Sequence, residues 1–346
     1  MVSSPTKATR DMAGTGAEAE PLLSVRGMTV RFGRAVVLDD VSFDIYPEEI
    51  VAIVGESGSG KSTAVFCATG LSQPGAAVTG ASRFDGRDLL TLSERELRSI
   101  YGKRIGYIFQ DVMTSLNPVR TIRSQMRETF ARHLKESDAE IVSRAVAVLR
   151  ACGILDPVRV LDSYPHELSG GLRQRVMIGL AAGLSPALLI ADEPTTALDT
   201  STQAQVLDTL AEMSRMSRSS VILVTHNLGV VAALAHRVIV MYCGRILETA
   251  TSEALLESPR HPYSAALLAA VPLIDHDDGG RLKGIPGEMP SPLDRPAGCI
   301  YAARCPRAED ICRNDAPALR PAATPGDEGR QVACHFPLPF EGRAGA

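Results

Sequence analysis

The sequence predicts an α/β protein built around a phosphate-binding loop, and three observations support this prediction. The apolar run Ile50–Val54 precedes a glycine-rich segment, residues 55–63, that leads into a helix-forming stretch. A second apolar run, residues 188–191, ends in acidic residues. Two further strand-like runs end at polar residues, Gln110 and His226. Because ligands of open α/β sheets bind at the carboxyl ends of the strands, these features are expected to belong to one site.

The glycine-rich segment reads GESGSGKST and has the strand–loop–helix context of a nucleotide phosphate loop. Its glycines let the backbone turn back and direct several N–H groups at one point, which also receives the positive end of the new helix. These glycines are Gly55, Gly58 and Gly60. Lys61 supplies a mobile charge for the outer phosphates, and the Ser62 hydroxyl is placed to hold Mg²⁺. The alternative is a loop that merely links strand to helix.

The composition is that of a soluble globular protein, with 45% hydrophobic and 22% charged residues. A chain of 346 residues can bury one large core and a smaller appendage. The net charge of −4 gives no reason to expect nucleic acid as the main partner. No window offers the ~20 uninterrupted apolar residues of a membrane span, and no apolar signal segment opens the chain.

The first part of the chain predicts a tail followed by short strands. Residues 1–20 are polar, small and rich in Gly, Ala and Ser, which is typical of a disordered tail. Strands are expected from Leu22 onward. Val41, Phe43 and Ile45 alternate with polar residues, which is the pattern of a half-buried strand.

The section after the loop predicts an amphipathic helix near residues 93–99 and a strand over 104–109. Residues of about 111–180 are mostly helical in pattern and are expected to form an inserted helical subdomain. Ser137 and Glu140 have the spacing of a capping box at the start of one helix.

The sequence from residue 200 onward predicts a helix, a buried strand and a pair of strands, and then its composition changes. Residues 200–213 have a helical pattern, 221–225 resemble a second buried strand, and strands are expected to pair around Cys243-Gly244. After about residue 272 the chain is rich in Pro, Gly, Cys and Arg with little periodicity. We therefore expect a main domain over residues 21–271 and a C-terminal extension over 272–346.

Acidic residues at a strand tip suggest the chemistry of the site. At the end of the apolar run, Asp192 can anchor Mg²⁺ through water, and Glu193 can polarise the attacking water. The alternative is that both residues only cap the next helix. Gln110 and His226 are placed to join them, although a single His at a strand end is more often structural.

The segment LSGG, residues 168–171, predicts a second anion-receiving site. Ser169 and the glycines Gly170 and Gly171 stand at the start of a helix-forming stretch, where backbone N–H groups and the helix dipole favour negative charge. Taken alone, Ser-Gly-Gly is common loop chemistry and has little specificity.

In their order and spacing, these motifs resemble the nucleotide-binding subunit of an ABC transporter over roughly residues 22–270. The segments that carry the resemblance are GESGSGKST, Gln110, LSGGLRQR, LLIADEP, ALD at residues 197–199, and His226. The resemblance implies a RecA-like P-loop NTPase core with an antiparallel β subdomain and a helical subdomain. It also implies a head-to-tail dimer, with ATP between the P-loop of one subunit and the LSGG segment of the other.

The family's roles carry over residue by residue. Glu193 would be the general base, His226 would contact the γ-phosphate, Asp199 would lie at the dimer seam, and Ser62, Gln110 and Asp192 would serve Mg²⁺ and the water. The remaining nucleotide contacts would come from Gly55, Ser57, Gly58, Gly60, Lys61, Thr63, Ser169, Gly170 and Gly171. Phe32 stands where the family places an aromatic residue against adenine, or it is an ordinary core residue. Leu172 departs from the family pattern, which commonly has Gln there.

Further motifs are similar to those of dipeptide, oligopeptide and nickel importer ATPases. They are QDVMTSLNP at 110–118, SPRHPYSAALLAAVP at 258–272, IPGEMPSP at 285–292, and the closing pattern GCIYAARCPRAEDIC…VACH. The resemblance implies two membrane permeases, a partner ATP-binding subunit, an extracytoplasmic solute-binding protein, and a location on the cytoplasmic face of the membrane. Met113, Leu116 and Pro118 are candidate permease contacts, and the alternative is that they serve local packing. The alternatives are nickel or another small solute, an exporter subunit, or a soluble ABC ATPase unconnected with transport.

The late cysteines, Cys299, Cys305, Cys312 and Cys334, raise the question of a metal. Disulfides are not expected in a reducing compartment, and the spacing matches neither a usual zinc site nor a common ferredoxin pattern. From spacing alone, a metal or cluster and inert thiols both remain open. The family resemblance implies a 4Fe-4S cluster with a structural role. Cys67, Cys152 and Cys243 are expected to be buried as small hydrophobes.

Overall fold

The computed structural model describes residues 20–111, 115–196, 198–270, 284–322 and 329–339. The predicted disordered tail, residues 1–20, lies outside these ranges except for its last residue. The predicted domain boundary near 272 also lies outside them. Both therefore stay predictions.

A small antiparallel sheet is built from the strands that surround the phosphate loop in sequence. Its strands, in the order β2-β1-β4-β5, are β1 (Leu23–Phe32), β2 (Ala35–Ile45), β4 (Ala76–Phe84) and β5 (Arg87–Asp88). The predicted alternation in β2 is confirmed, because Val41, Phe43 and Ile45 are all buried. This is the predicted antiparallel β subdomain.

A larger mixed sheet carries the candidate site, and in the described ranges it has eight strands. The parallel strands are β3 (Ile50–Val54), β6 (Ile105–Ile108), β7 (Leu188–Asp192), β8 (Ser220–Val224) and β9 (Arg237–Tyr242). The antiparallel ones are β10 (Arg245–Thr251), β11 (Arg320–Pro321) and β12 (Gln331–Val332). Across the sheet their order is β11-β12-β10-β9-β3-β8-β7-β6. Because β3, β6, β7 and β8 run in parallel, their carboxyl ends share one edge.

The helices follow the predicted distribution. They are α1 (Lys61–Ala68), α2 (Glu94–Ile100), α3 (Ile122–Ala131), α4 (Asp138–Ala151), α5 (Pro157–Asp162), α6 (Gly170–Ala182), α7 (Thr200–Ser217), α8 (Leu228–Leu234), α9 (Ser252–Glu257), α10 (Pro262–Ala269) and α11 (Asp310–Asn314). Helices α3 to α6 occupy the predicted helical section. The capping box is confirmed, since the Ser137 hydroxyl accepts from the Glu140 amide and the Glu140 carboxylate accepts from the Ser137 amide.

The hairpin predicted around Cys243-Gly244 joins β9 to β10. Both turn residues have positive φ, 43° at Cys243 and 73° at Gly244. A side chain on Gly244 would place its Cβ 2.0 Å from the backbone oxygen of Val37, so glycine is required there. Ser59 in the phosphate loop accepts a backbone hydrogen bond from Gly244, which ties the hairpin to the loop.

The hydrophobic core is divided by the large sheet. One cluster fills the space between the two sheets and α1, and includes Val51 and Ile53. A second lies beneath the helical section, with Phe130 and Leu149 among its buried members. A third joins β9 and β10 to the C-terminal extension. The extension also contributes β12, which pairs with β10, so it is built onto the same sheet as the phosphate loop.

No helix in the described ranges has both the length and the apolar character needed to cross a membrane.

Candidate functional site

The phosphate loop leaves β3 and enters α1 through glycines that need their backbone freedom. Gly55 has φ 151°, and a Cβ there would lie 2.1 Å from the backbone oxygen of Met241. Gly58 and Gly60 have φ 79° and 96°, in the left-handed region, and Gly60 caps α1. The loop therefore has the open, turned-back backbone that the sequence predicts for phosphate binding.

Lys61 opens α1 and folds back over the loop. Its ammonium donates to the backbone oxygens of Gly55 and Glu56 at 3.0 and 2.9 Å, and the residue is only 5% exposed. Burial lowers the pKa of Lys61, although the carboxylates of Glu193 and Asp192 act in the opposite direction. A phosphate would offer this ammonium stronger acceptors than two neutral carbonyls.

Ser62 and Asp192 meet across the base of the loop. The Ser62 hydroxyl donates to Asp192 Oδ1 at 2.9 Å, although the two residues come from α1 and the end of β7. Asp192 is 4% exposed, and burial raises its pKa while the bond from Ser62 lowers it. Mg²⁺ prefers oxygen ligands, and this pair brings a hydroxyl oxygen and a carboxylate oxygen together, so the residues present fit the predicted ion.

Polar side chains near the ends of neighbouring strands surround the Glu193 carboxylate. Gln110 Nε2 and the Thr196 hydroxyl each donate to Glu193 Oε2 at 3.0 Å, and His226 Nδ1 lies 3.4 Å from Oε1. The backbone N–H of Glu193 donates to the oxygen of Val224 at the end of β8. The expected meeting of Gln110, Glu193 and His226 at one edge of the sheet is confirmed.

Glu193 also has an unusual backbone. Its φ of 45° lies in the left-handed region, which is disfavoured for a residue with a side chain. The side chain is 17% exposed, whereas that of His226 is 64% exposed. Strained backbone tends to occur at functional positions, because surrounding contacts must hold it in place. The strain here coincides with the predicted general base.

The LSGG segment lies in a second place, with Asp199. Ser169 caps α6 and accepts from the amide of Leu172 at 3.4 Å. Ser169, Gly170, Gly171 and Asp199 line one open groove of about 770 Å³.

Two residues in this region have structural explanations. Asp199 caps α7, and hydrogen bonds from Ser201 and Thr202 hold its pKa well below the ordinary value. Leu172, where the family pattern is polar, is half-buried and packs against the core beneath the helices.

The other predicted site residues are placed as follows. Phe32 ends β1, half-buried against the core between the sheets. Ser57 is exposed in the loop, and Thr63 is half-buried in the first turn of α1. Of the candidate permease contacts, Leu116 is 2% exposed and packs in the core, which favours the alternative of local packing for this residue. Pro118 is exposed, and Met113 lies outside the described residues.

The four late cysteines line one small cavity of about 10 Å³. Burial raises the pKa of Cys299, Cys305 and Cys334, to about 11 for Cys334, so these thiols are neutral near pH 7. No group of three or more His, Cys, Asp or Glu side chains in the described ranges is arranged to hold a metal ion. A cavity of this size holds about one water molecule. The four cysteines thus lie around one point, but the space between them is no larger than about one water molecule.

The other three cysteines are buried, as predicted. They are Cys67, Cys152 and Cys243. Burial raises the pKa of each thiol, to about 11 for Cys67 and about 12 for Cys152. They behave as small apolar side chains in the core.

Sequence reasoning did not anticipate three contacts of the site. Thr196 donates to Glu193, Tyr263 accepts from the Glu56 amide, and Arg304 pairs with the Glu56 carboxylate. Tyr263 and Arg304 both lie in the late motifs noted above, SPRHPYS and GCIYAARC. Nothing in their local sequence indicates a contact with a loop some two hundred residues earlier.

Two family models match this chain. Residues 38–196 match the model described as ABC transporter. Residues 247–312 match the model described as the C-terminal region of oligopeptide and dipeptide transporters. The first match spans the phosphate loop and the acidic strand, and the second spans three of the late cysteines.

Similar curated proteins extend over nearly the whole chain. The dipeptide transport ATP-binding protein DppD of Escherichia coli (strain K12) is 45% identical over 93% of this chain and 98% of its own length. The oligopeptide transport ATP-binding protein OppD of Salmonella typhimurium is 43% identical over 92% of this chain and 95% of its own length.

Solved structures share the fold of the core. A dimeric post-hydrolysis state of the ATP-binding cassette MJ0796, bound to ADP and Pi, has a TM-score of 0.59 at 28% identity. It covers 66% of this chain and 98% of that one. CbiO1 of Clostridium perfringens, part of the transporter complex cbiONQ, has a TM-score of 0.59 at 27% identity, over 68% of this chain and 90% of that one.

Proposed function

The chain belongs to the ABC transporter family as an ATP-hydrolysing subunit of its peptide importers, and from this premise we propose that it powers the uptake of dipeptides or oligopeptides. The observation that carries the proposal is the convergence of Ser62, Asp192 and Glu193 beside the phosphate loop, in a chain whose C-terminal region matches the peptide-transporter model. The alternative cargo is nickel or another small solute, since the solute itself would be bound by other subunits.

The nucleotide would be held by the loop and by residues at the strand ends. Lys61 would exchange the carbonyls of Gly55 and Glu56 for the outer phosphates. Ser62, Asp192 and Gln110 would hold Mg²⁺, which when bound neutralises charge on the phosphates. The backbone N–H groups of the loop, including those of Ser57 and Thr63, would complete the cradle, with Phe32 against the base.

Glu193 would act as general base in hydrolysis. Its carboxylate already lies within hydrogen-bond distance of Gln110 and Thr196, and near His226. These neighbours would orient it toward a water held in line with the γ-phosphate, while the His226 ring contacts that phosphate. The carboxylate takes the proton as the water attacks, and ADP and phosphate leave.

The arrangement supports a shared site between two subunits. Ser169 and Asp199 line one groove, whereas Lys61 and Glu193 belong to the edge of the large sheet. In a head-to-tail pair, Ser169, Gly170 and Gly171 of one subunit would face the phosphate loop of the other, and Asp199 would lie at the seam. Closure on ATP and reopening after hydrolysis would then drive the permeases.

We place the subunit on the cytoplasmic face of the membrane, attached through two permeases. A second ATP-binding subunit would complete the pair, and an extracytoplasmic protein would deliver the solute. Pro118, exposed after Gln110, remains the candidate permease contact in the described part of that segment.

We further propose that the late cysteines bind a 4Fe-4S cluster with a structural role. The supporting observation is that Cys299, Cys305, Cys312 and Cys334 line one cavity, which supplies the four thiol ligands that such clusters use. The closed cavity requires these side chains to move apart and lose their protons when the cluster is inserted.

The test of function is uptake by cells that lack this chain. Complementation with the wild-type chain is expected to restore uptake of labelled dipeptides, and complementation with the Lys61→Ala variant is not. Purification of the intact complex, with mass spectrometry of its subunits and solute, identifies the partners. Restored nickel uptake with unchanged dipeptide uptake would overturn the peptide assignment.

A further inference from the structure

The phosphate-loop residue Glu56 is held from outside the loop by Arg304, which lies in the C-terminal extension. Arg304 Nη1 and Nη2 donate to Glu56 Oε1 and Oε2 at 3.0 and 3.1 Å, a two-point contact. The Arg304 side chain is 3% exposed, and that of Glu56 is 30% exposed. The pair is therefore largely withdrawn from solvent, and its charges are weakly screened.

The guanidinium of Arg304 is fixed in place by further acceptors. Its Nε donates to the oxygen of Pro286 at 2.8 Å, Nη2 to the oxygen of Ile285 at 3.0 Å, and Nη1 to the Tyr242 hydroxyl at 3.1 Å. Together with the two bonds to Glu56, these occupy all five donors of the side chain. The same guanidinium lies 5.6 Å from the centre of the Tyr242 ring. Arg304 thus has one well-defined position.

Glu56 transmits this anchoring to the phosphate lysine. Its backbone N–H donates to the buried Tyr263 hydroxyl at 2.9 Å. Its backbone oxygen accepts from Lys61 Nζ at 2.9 Å and from the Ser59 amide at 3.1 Å. One residue therefore connects the extension, the long motif that contains Tyr263, and the lysine expected to contact the phosphates.

A carboxylate in this loop is electrostatically unfavourable for a ligand that carries several negative charges. Arg304 offsets the charge of Glu56 and turns the carboxylate toward the extension. We propose that Arg304 is a positioning residue of the nucleotide site, through which the C-terminal extension sets the affinity for the triphosphate. The proposal rests on the assignment of the phosphate loop to ATP.

The experiment measures binding of a non-hydrolysable ATP analogue with Mg²⁺ to the full chain by calorimetry. Arg304→Gln is expected to raise Kd about tenfold, because it leaves the Glu56 carboxylate unpaired beside the phosphates. The loss of affinity should be smaller for ADP, which carries less negative charge than the triphosphate. In the double variant with Glu56→Gln, most of the affinity should return. Arg313→Gln, an exposed arginine of the same extension, is the matched control.

Recovery of affinity in the double variant distinguishes an electrostatic role of Arg304 from a merely structural one. Loss of thermal stability in Arg304→Gln with unchanged Kd, or a double variant as weak as the single one, would overturn the proposal. Arg304→Lys keeps the charge but cannot repeat the two-point contact, so its loss of affinity is expected to be smaller than that of Arg304→Gln. A loss in Arg304→Lys as large as that in Arg304→Gln would contradict charge neutralisation. If Arg304→Gln does not fold, Glu56→Gln alone is measured; it is expected to bind the analogue at least as tightly as wild type, and a tenfold loss of affinity there would contradict the proposal. Failure of the wild-type chain to bind the analogue would instead overturn the ATP assignment.

Discussion

The amide nitrogen of Gln110 lies 3.0 Å from a carboxylate oxygen of Glu193, which places the end of β6 in contact with the end of β7. The contact ties the segment that leads into the helical section to the expected base of hydrolysis. Movement of that section would therefore displace a hydrogen-bond partner of the base.

Glu193→Gln should abolish turnover while leaving nucleotide binding nearly unchanged. The amide cannot accept the proton of the attacking water, and general-base catalysis contributes about 10²- to 10⁴-fold. Phosphate release and binding of ATP are measured on the same preparation. Asp208→Asn, an exposed carboxylate on α7, is the control. Phosphate release within twofold of wild type would show that another group is the base.

Lys61→Ala should remove most of the affinity for ATP. The ammonium is the buried cation whose present partners are two loop carbonyls, and phosphates need it to offset their charge. Calorimetry with Mg²⁺ and ATP checks this, with exposed Lys103→Ala for comparison. Equal affinity in Lys61→Ala and wild type would contradict the proposed phosphate cradle.

Ser137→Ala should lower the free energy of unfolding by about 1 kcal/mol, because it removes the side-chain cap of α4. Urea unfolding followed by circular dichroism measures the change. Ser143→Ala, exposed on the same helix, should change stability by less than about 0.5 kcal/mol. If both variants lost the same stability, the cap would not be the cause.

Glu248 should make stability depend on pH. Burial raises the pKa of this carboxyl above its ordinary value of 4.5, against the bonds it accepts from the amides of Arg260 and His261. Because the folded pKa is raised, the native state keeps this proton to a higher pH than the unfolded state does. The contribution of Glu248 to the free energy of unfolding is therefore fully present below pH 4.5 and is lost as the pH rises through the folded pKa. Glu248→Gln should flatten that part of the curve of unfolding free energy against pH. An unchanged slope would contradict the shift.

Protein purified without oxygen should be brown and contain iron and sulfide. Cys312→Ser should lose colour and iron, since Cys312 lines the shared cavity, whereas Cys152→Ala should keep both. Absorbance spectra and iron analysis of the wild-type chain and both variants measure these differences. Folded, colourless and iron-free wild-type protein would refute the cluster.

Local patterns in the sequence predict much of the fold and the centre of the site. The strand over residues 188–191 was recognisable because a buried parallel strand is a continuous apolar run. Element ends differ from the predicted ones by a few residues, as for the helix over residues 200–213, which continues to Ser217. Gln110, Glu193 and His226 could be placed together because parallel strands share an edge.

Contacts between distant segments could not be predicted in this way. Glu56 and Arg304 are 248 positions apart, and neither has a local pattern that names the other. The role of Thr196 depends on the turn after β7, where its hydroxyl reaches Glu193. The sequence left both permease contact and local packing open for Leu116, and its burial favours packing, because exposure is decided by contacts with other elements.

Within the described part of the chain, the large sheet ends at β11, which is only two residues long and contains Pro321. A proline has no N–H to offer a further strand, and so short an edge gives an incoming chain little to pair with. Growth of the sheet by recruitment of another copy is thereby discouraged. A subunit that must assemble through specific surfaces benefits from such an edge, because copies of the chain are less able to polymerise by pairing strands there.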